Sequence, residues 1–193
     1  MGRINIAADE KLVKELEQEA KKKGYTMYAV TNLAIQAMVE ALREGNAETL
    51  LSLIEYYKIV KDLELIPVTT WYLENLIRIA YEHDSNRVTE ICESAGIQLA
   101  SYLKTKVTGL NDIINIYNKI RTILPVKDVF LKQDEDGIVI RITGSGFGLE
   151  STTCASVIFR KILEEYGFRV NQVSATPGGI IVYKIALLSA KEP

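Results

Sequence analysis

Two polar side chains at the start of the chain have the types and the spacing for molecular recognition. Arg3 and Asn5 alternate with apolar residues in the stretch Gly2–Ala8. In an extended strand they would lie on one face together with Ala7, and the isoleucines would lie on the other. Arginine can form two hydrogen bonds with guanine, and asparagine can form two with adenine. The polar face of this predicted strand therefore has chemistry suited to contact with base edges.

The element that must position these side chains is a solitary strand. A single strand of this length is not stable in water without a neighbouring strand, and none is predicted next to it in the sequence. The simplest solution is a second copy of the chain, whose strand pairs with the first as a two-stranded antiparallel ribbon. Such a ribbon fits the major groove of DNA. We therefore expect a homodimer or a higher even-numbered oligomer.

Two amphipathic helices are predicted after the strand, over about residues 9–23 and 27–43. Asp9 and Thr26 are the expected N-caps, and Gly24 is the expected left-handed residue that ends the first helix. Residues with helical spacing predict the buried faces, namely Leu12, Leu16 and Ala20 in the first helix and Val30, Ala34, Met38 and Leu42 in the second.

This N-terminal unit resembles the ribbon-helix-helix family of DNA-binding regulators. The resemblance covers about a quarter of the chain and depends on the strand sequence R-I-N-I, the two apolar stripes, the turn Gly24-Tyr25-Thr26 and the pair Ala34-Ile35. It implies that double-stranded DNA is the partner and that the outward strand side chains, Arg3, Asn5 and Ala7, read bases. Ala7 departs from the polar residue usual in the family and can only touch a thymine methyl group.

The resemblance also implies a phosphate contact at the start of the second helix. Thr26, Met27 and Tyr28 occupy that position, where free N–H groups and the helix dipole favour an anion. Charge leaves an alternative open, because residues 1–45 hold seven basic and seven acidic side chains and the whole chain has a net charge of −2. Phosphate contacts normally dominate affinity for DNA. The alternative is that the ribbon serves only to dimerise the protein.

The rest of the chain predicts a helical middle and a β-rich end. We expect helices over about 47–65, 68–81, 87–104 and 111–124, then strands over 128–133 and 138–143, a helix over 151–166, and strands over 168–175 and 180–187. The predicted fold class is α+β, with a ribbon-helix-helix unit, helices, and a ββαββ antiparallel sheet covered by helices. The predicted domains are 1–45 for DNA binding and dimerisation, 46–67 as a helical connector, and 68–193 for ligand binding or oligomerisation.

The C-terminal part is weakly similar to the vinyl-four-reductase-type ligand-binding domains. The similarity lies in the order of Gly96–Ala100, Ile138–Gly144, Cys154 within a helix, Leu163–Gly167 and a closing strand pair. It implies a small hydrophobic molecule as a possible effector. Thr176–Gly179 stands where some members of that family carry a closing cysteine.

A glycine-rich stretch follows a predicted strand and precedes a predicted helix. Gly144, Gly146 and Gly148 would let backbone N–H groups approach a phosphate. Their spacing matches neither the dinucleotide-binding fingerprint nor a P-loop. A tight strand-to-helix connection is therefore the favoured interpretation, with ligand binding as the alternative.

No constellation in the sequence predicts catalysis, a metal site or a cofactor. His83 is the only histidine and is expected at a solvated helix end. Cys92 and Cys154 lie far apart and in no CxxC pair, so both are expected to be reduced and buried. No signal peptide or membrane-spanning segment is predicted. We therefore expect a cytoplasmic protein that is not an enzyme.

The predicted function is a DNA-binding transcriptional regulator that inserts the intermolecular ribbon into the major groove as a homodimer. The C-terminal domain would sense a ligand or assist assembly. The alternative is a ligand-binding or adaptor module that uses the ribbon only for dimerisation. An enzyme that uses the loop Gly144–Gly148 is the third possibility.

Overall fold

The chain forms two compact units, residues 1–52 and 53–193. The computed structural model describes residues 6–45, 47–121, 124–134, 137–144 and 146–186. Helices α1 and α2 belong to the first unit. The sheet and its covering helices belong to the second, and helix α3 (Glu48–Asp62) crosses the division in sequence.

The first unit is a pair of helices, α1 (Glu10–Lys22) and α2 (Met27–Glu44). Asp9 begins α1 because its Oδ1 accepts hydrogen bonds from the N–H groups of Lys11 at 2.9 Å and Leu12 at 3.1 Å. Gly24 has a φ of 75°, the left-handed conformation that only glycine adopts without a steric cost. The predicted start and end of the first helix are thus confirmed.

The prediction of a strand over Gly2–Ala8, and with it of a ribbon-helix-helix fold, is wrong. Residues 6–9 belong to no strand or helix, and every regular element described from Glu10 to Asp62 is a helix. A strand needs the hydrogen bonds of a neighbour, and the described part of this chain places none beside these residues. Arg3 and Asn5 lie outside the described residues.

Helix α4 (Thr70–Lys104) carries a kink where the sequence predicts a polar break. Asp84 has a φ of −155° and a ψ of 91°, which are not helical. Its Oδ1 accepts a hydrogen bond from the N–H of Arg87 at 2.9 Å, so it caps the second half of the helix. None of the helices in the described part of the chain, α4 included, combines the length and the apolar character that a membrane span requires.

The C-terminal sheet contains four antiparallel strands in the order β1-β2-β4-β3. The strands are β1 (Val126–Asp134), β2 (Gly137–Gly144), β3 (Arg169–Thr176) and β4 (Ile180–Ala186). Helix α5 (Leu110–Ile120) precedes them, and α6 (Leu149–Glu165) connects β2 to β3.

One face of this sheet forms the core of the second unit. Alternate side chains of β2 and β4 point to it, and the register pairs Ile140 with Tyr183 and Ile142 with Ile181. Leu163 of α6 and Ile185 of β4 complete the buried cluster. Because burial of apolar surface is the main stabilising term in folding, this cluster is the chief source of stability in the second unit.

A disulfide joins Cys92 of α4 to Cys154 of α6, so the expectation that both cysteines are reduced is wrong. Their Cα atoms are 5.6 Å apart although 62 positions separate them in sequence. The two helices approach closely because Gly96 has no side chain. A Cβ at that position would lie 2.7 Å from the carbonyl oxygen of Ile158. Nothing in the spacing of the cysteines could predict this approach.

Candidate nucleic-acid interface

The candidate interface is the junction between α1 and α2, which we define as residues 21–28. Lys21 and Lys22 occupy the last turn of α1, and Lys23 is its C-cap. The chain then reverses through Gly24, and the N–H of Tyr25 donates to the carbonyl oxygen of Ala20 at 2.9 Å. This closure places the three lysines directly before the start of α2.

The start of α2 contains the predicted phosphate-binding residues. Thr26 is the N-cap, and its Oγ1 accepts a hydrogen bond from the N–H of Ala29 at 3.2 Å. The N–H groups of Met27 and Tyr28 precede the intrahelical hydrogen-bond pattern, so α2 itself supplies no acceptor for them. The first turn of α2 holds no acidic residue. An anion at this helix end would therefore meet unpaired donors and a favourable dipole.

Charge is distributed unevenly along α1. Lys11 and Lys14 are paired within the helix with Glu15 and Glu10, which neutralises its first half. At the other end, Lys22 pairs with Glu19 and lowers the pKa of that carboxyl group, chiefly through their hydrogen bond.

Two lysines of the junction are left without such a partner. Among the described residues, Lys21 and Lys23 form no ion pair, and both side chains are exposed. The equal totals of acidic and basic residues in this unit therefore conceal a local excess of positive charge at the junction.

The structure treats the three predicted base-contacting residues differently. Arg3 and Asn5 lie outside the described residues, so their roles stay predictions. Ala7 is exposed, in the segment that leads into α1. Thr26, Met27 and Tyr28 are brought together at the start of α2, as described above.

The apolar side chains of the first unit are mostly uncovered. Ala20 and Ala41 are the buried residues of α1 and α2. Leu12 and Leu42, which the sequence predicts in the buried stripes, are exposed, and so are Leu33, Ile35 and Val39. The stripe prediction is therefore incorrect for these two leucines within one chain, because α1 and α2 alone are too small to cover both apolar faces.

The glycine-rich loop is occupied by the protein's own groups. The N–H of Gly148 donates to Glu74 Oε2 at 2.9 Å, so a carboxylate already sits at the start of α6. The N–H of Gly144 donates to the carbonyl oxygen of Gly179 at 2.8 Å, and a Cβ on Gly144 would lie 3.1 Å from the Cα of Gly179. Gly146 has a φ of 96°. These contacts give Gly144 and Gly148 a packing role, and ligand binding at this loop stays a prediction.

Glu74 is a residue that the sequence could not identify. It lies 74 positions before the glycine that it caps, and no local pattern connects the two. Its other oxygen, Oε1, is buried without a hydrogen-bond partner. This carboxylate makes the start of α6 a poor site for a second anion.

The remaining chemistry-bearing residues form no further site in the described part of the chain. His83 is exposed beside the kink in α4, and no group of three or more described metal-ligating side chains could hold a metal ion. The hydroxyl of Tyr183 donates to the carbonyl oxygen of Ser156 at 2.8 Å, and burial raises the pKa of this phenol.

The comparisons with known proteins leave the geometry to stand alone. No family model, curated protein or solved structure matched this chain.

Proposed function

We propose that the protein is a cytoplasmic, homodimeric transcriptional regulator that binds double-stranded DNA through its first unit. In this proposal the junction, residues 21–28, contacts the phosphate backbone. Arg3 and Asn5 contact base edges, and Ala7 lies against a thymine methyl group. The second unit stabilises the assembly or responds to a small-molecule effector.

The observation that carries the proposal is the composition of the junction. Exposed N–H groups at the start of α2, a first turn without acid, and the unpaired Lys21 and Lys23 lie within eight consecutive residues. Phosphates bind to this combination of helix dipole, N–H donors and lysines. The neutral sum of charges in the unit does not oppose binding, because the acidic residues of α1 are largely engaged with other lysines of the same helix.

The exposed apolar side chains of α1 and α2 support the dimer. A helix pair with two buried alanines cannot hold its structure through its own core. A second copy would cover Leu12, Leu33 and Val39 and would double the number of junctions available to DNA. Two-fold symmetry of this kind predicts a palindromic or tandem target site.

The direct experiment is a salt titration of binding to duplex DNA with two matched double variants. Lys21→Gln with Lys23→Gln removes the unpaired lysines, and Lys11→Gln with Lys14→Gln removes two lysines that are already paired. We expect the first variant to lose affinity and to reduce the slope of log K against log salt by about 0.9 for each phosphate contact removed. The control should keep the wild-type slope. Equal behaviour of the two variants would contradict a role for the junction.

Base recognition is tested separately by selection of bound duplexes from a random pool. We expect enrichment of one sequence family by the wild-type chain, and loss of that enrichment by Arg3→Ala with Asn5→Ala. Absence of any enriched sequence would favour the alternative in which the first unit only dimerises the protein.

The effector role is tested by thermal unfolding of the second unit with candidate ligands. Because Glu74 occupies the start of α6, we expect common nucleotides to leave the midpoint unchanged. Stabilisation by a nucleotide would instead favour a ligand-binding or enzymatic role for the loop Gly144–Gly148.

A further inference from the structure

The first half of α4 and the segment before it expose an unusual amount of apolar surface. We call this surface the α4 apolar face and define it by Ile66, Val68, Trp71, Tyr72, Leu76 and Ile79. All six are exposed, and the exposed fractions reach 83% for Ile66 and 74% for Trp71. Tyr72, Leu76 and Ile79 follow the i, i+4, i+7 spacing that places side chains along one side of a helix.

The polar residues among them are engaged with their own unit. Glu74 is directed to the N–H of Gly148. Arg78 contacts Asn75 Oδ1 at 3.0 Å and Glu82 Oε1 at 3.4 Å, both on the same helix. The face therefore presents apolar groups without a charge that seeks an external partner.

Its size exceeds what a monomer usually exposes. If each of these side chains offers about 150–250 Å² when fully exposed, the exposed fractions correspond to roughly 700 Å² of contact surface. The largest apolar patch on a typical monomer is about 300–600 Å². A standard interface buries about 800 Å² on each partner. The α4 apolar face alone supplies most of one side of such an interface.

We propose that the α4 apolar face binds the same face of a second copy of the chain. An isologous contact requires a surface that complements itself, and an apolar stripe with no unpaired charge meets that requirement. A partner selected by charge would need complementary charged groups on the face, which the described residues do not provide. This contact does not depend on DNA binding, and it is distinct from the dimer contact proposed for α1 and α2.

Trp71 is the only tryptophan in the chain, so its fluorescence reports on this face alone. In the full-length protein we expect emission typical of a buried indole and weak quenching by acrylamide. A red-shifted emission with full access to acrylamide, in a protein that sediments as a dimer, would overturn the proposal. That result would leave the contact between α1 and α2 as the source of the dimer.

Two variants of the same helix sharpen the test. Ile79 and Ile91 are exposed to 58% and 56%, but Ile91 lies beyond the kink and outside the α4 apolar face. We expect Ile79→Glu to expose Trp71 to solvent and to weaken self-association through this face at least about tenfold. Ile91→Glu should behave as the wild type. Exposure of Trp71 by both variants, or by neither, would contradict the proposal.

A check on folding and on DNA affinity completes the experiment. Circular dichroism establishes that Ile79→Glu retains its helices and sheet, and Leu76→Ser replaces it if it does not. Because the face lies in the second unit, we expect an isolated duplex half-site to bind Ile79→Glu and the wild type equally. Failure of DNA binding in the wild type would count against the proposed function, whereas the fluorescence of Trp71 would still decide the contact.

Discussion

The two units of this protein are stabilised in different ways. The second unit has a sheet with a buried cluster, a disulfide and a close helix-to-helix contact at Gly96. The first unit is a helix pair with two buried alanines and exposed leucines. The difference teaches that the second unit can fold by itself, whereas the first depends on a surface outside one chain.

The largest effect should come from the disulfide. Reduction, or Cys92→Ala with Cys154→Ala, opens a covalent loop of 62 positions. Loop entropy alone then predicts a loss of about 4 kcal/mol from the free energy of unfolding of the second unit. Urea unfolding with and without reductant, followed by the fluorescence of the tyrosines, measures this loss. An unchanged midpoint would mean that the packing of α4 on α6 needs no crosslink.

Neighbouring isoleucines on β4 test the core of the second unit. Ile181 is 2% exposed, and Ile180 is 41% exposed on the opposite face of the sheet. Ile181→Ala should lower the free energy of unfolding by about 2–5 kcal/mol because it leaves a cavity. Ile180→Ala should cost about 0.5 kcal/mol or less. Similar losses in urea unfolding would contradict the assignment of this face as the core.

Alkaline pH should weaken the second unit through Tyr183. Burial raises the pKa of its phenol above the ordinary value of 10.0, so the folded state favours the neutral form. The resulting stability is fully present below the pKa of the unfolded state and is lost as the pH rises above it. We expect the free energy of unfolding to fall above about pH 10, and Tyr183→Phe to reduce that fall. An identical pH dependence in the variant would contradict the role of this group.

The smallest effects should come from two threonine N-caps, one in each unit. Thr26 begins α2 and Thr69 begins α4, and each accepts one N–H hydrogen bond. Replacement by alanine should cost about 1 kcal/mol in either place. In the first unit this loss should be visible as faster amide exchange along α2. In the second unit it should remain local to the first turn of α4, and the opposite pattern would reverse the comparison of the two units.

Local signals in the sequence were sufficient for many element boundaries. Asp9, Gly24 and Thr26 mark helix ends because caps and left-handed glycines act within a few residues. The strand pair β1 and β2 was predictable because alternating apolar residues flank a turn signal that ends at Gly137. Asp84 likewise marks the kink in α4 through its own capping side chain.

Features that depend on distant residues were not predictable. The approach of Cys92 to Cys154, and the capping of Gly148 by Glu74, arise from how α4 packs on α6. The strand over Gly2–Ala8 was predicted from alternation alone, and alternation does not supply the neighbour that a strand needs. In the candidate site, the residues Thr26–Tyr28 followed from the sequence. The excess charge at Lys21 and Lys23 did not, since it depends on which glutamates pair with which lysines.

The most direct test of the difference between the units is amide hydrogen exchange at several protein concentrations. Our account predicts that protection in α1 and α2 rises with concentration, because a second copy completes the first unit. Protection in β2, β4 and α6 should stay constant, because their core lies within one chain. Strong protection of α1 and α2 that does not change on dilution to a monomer would contradict the account.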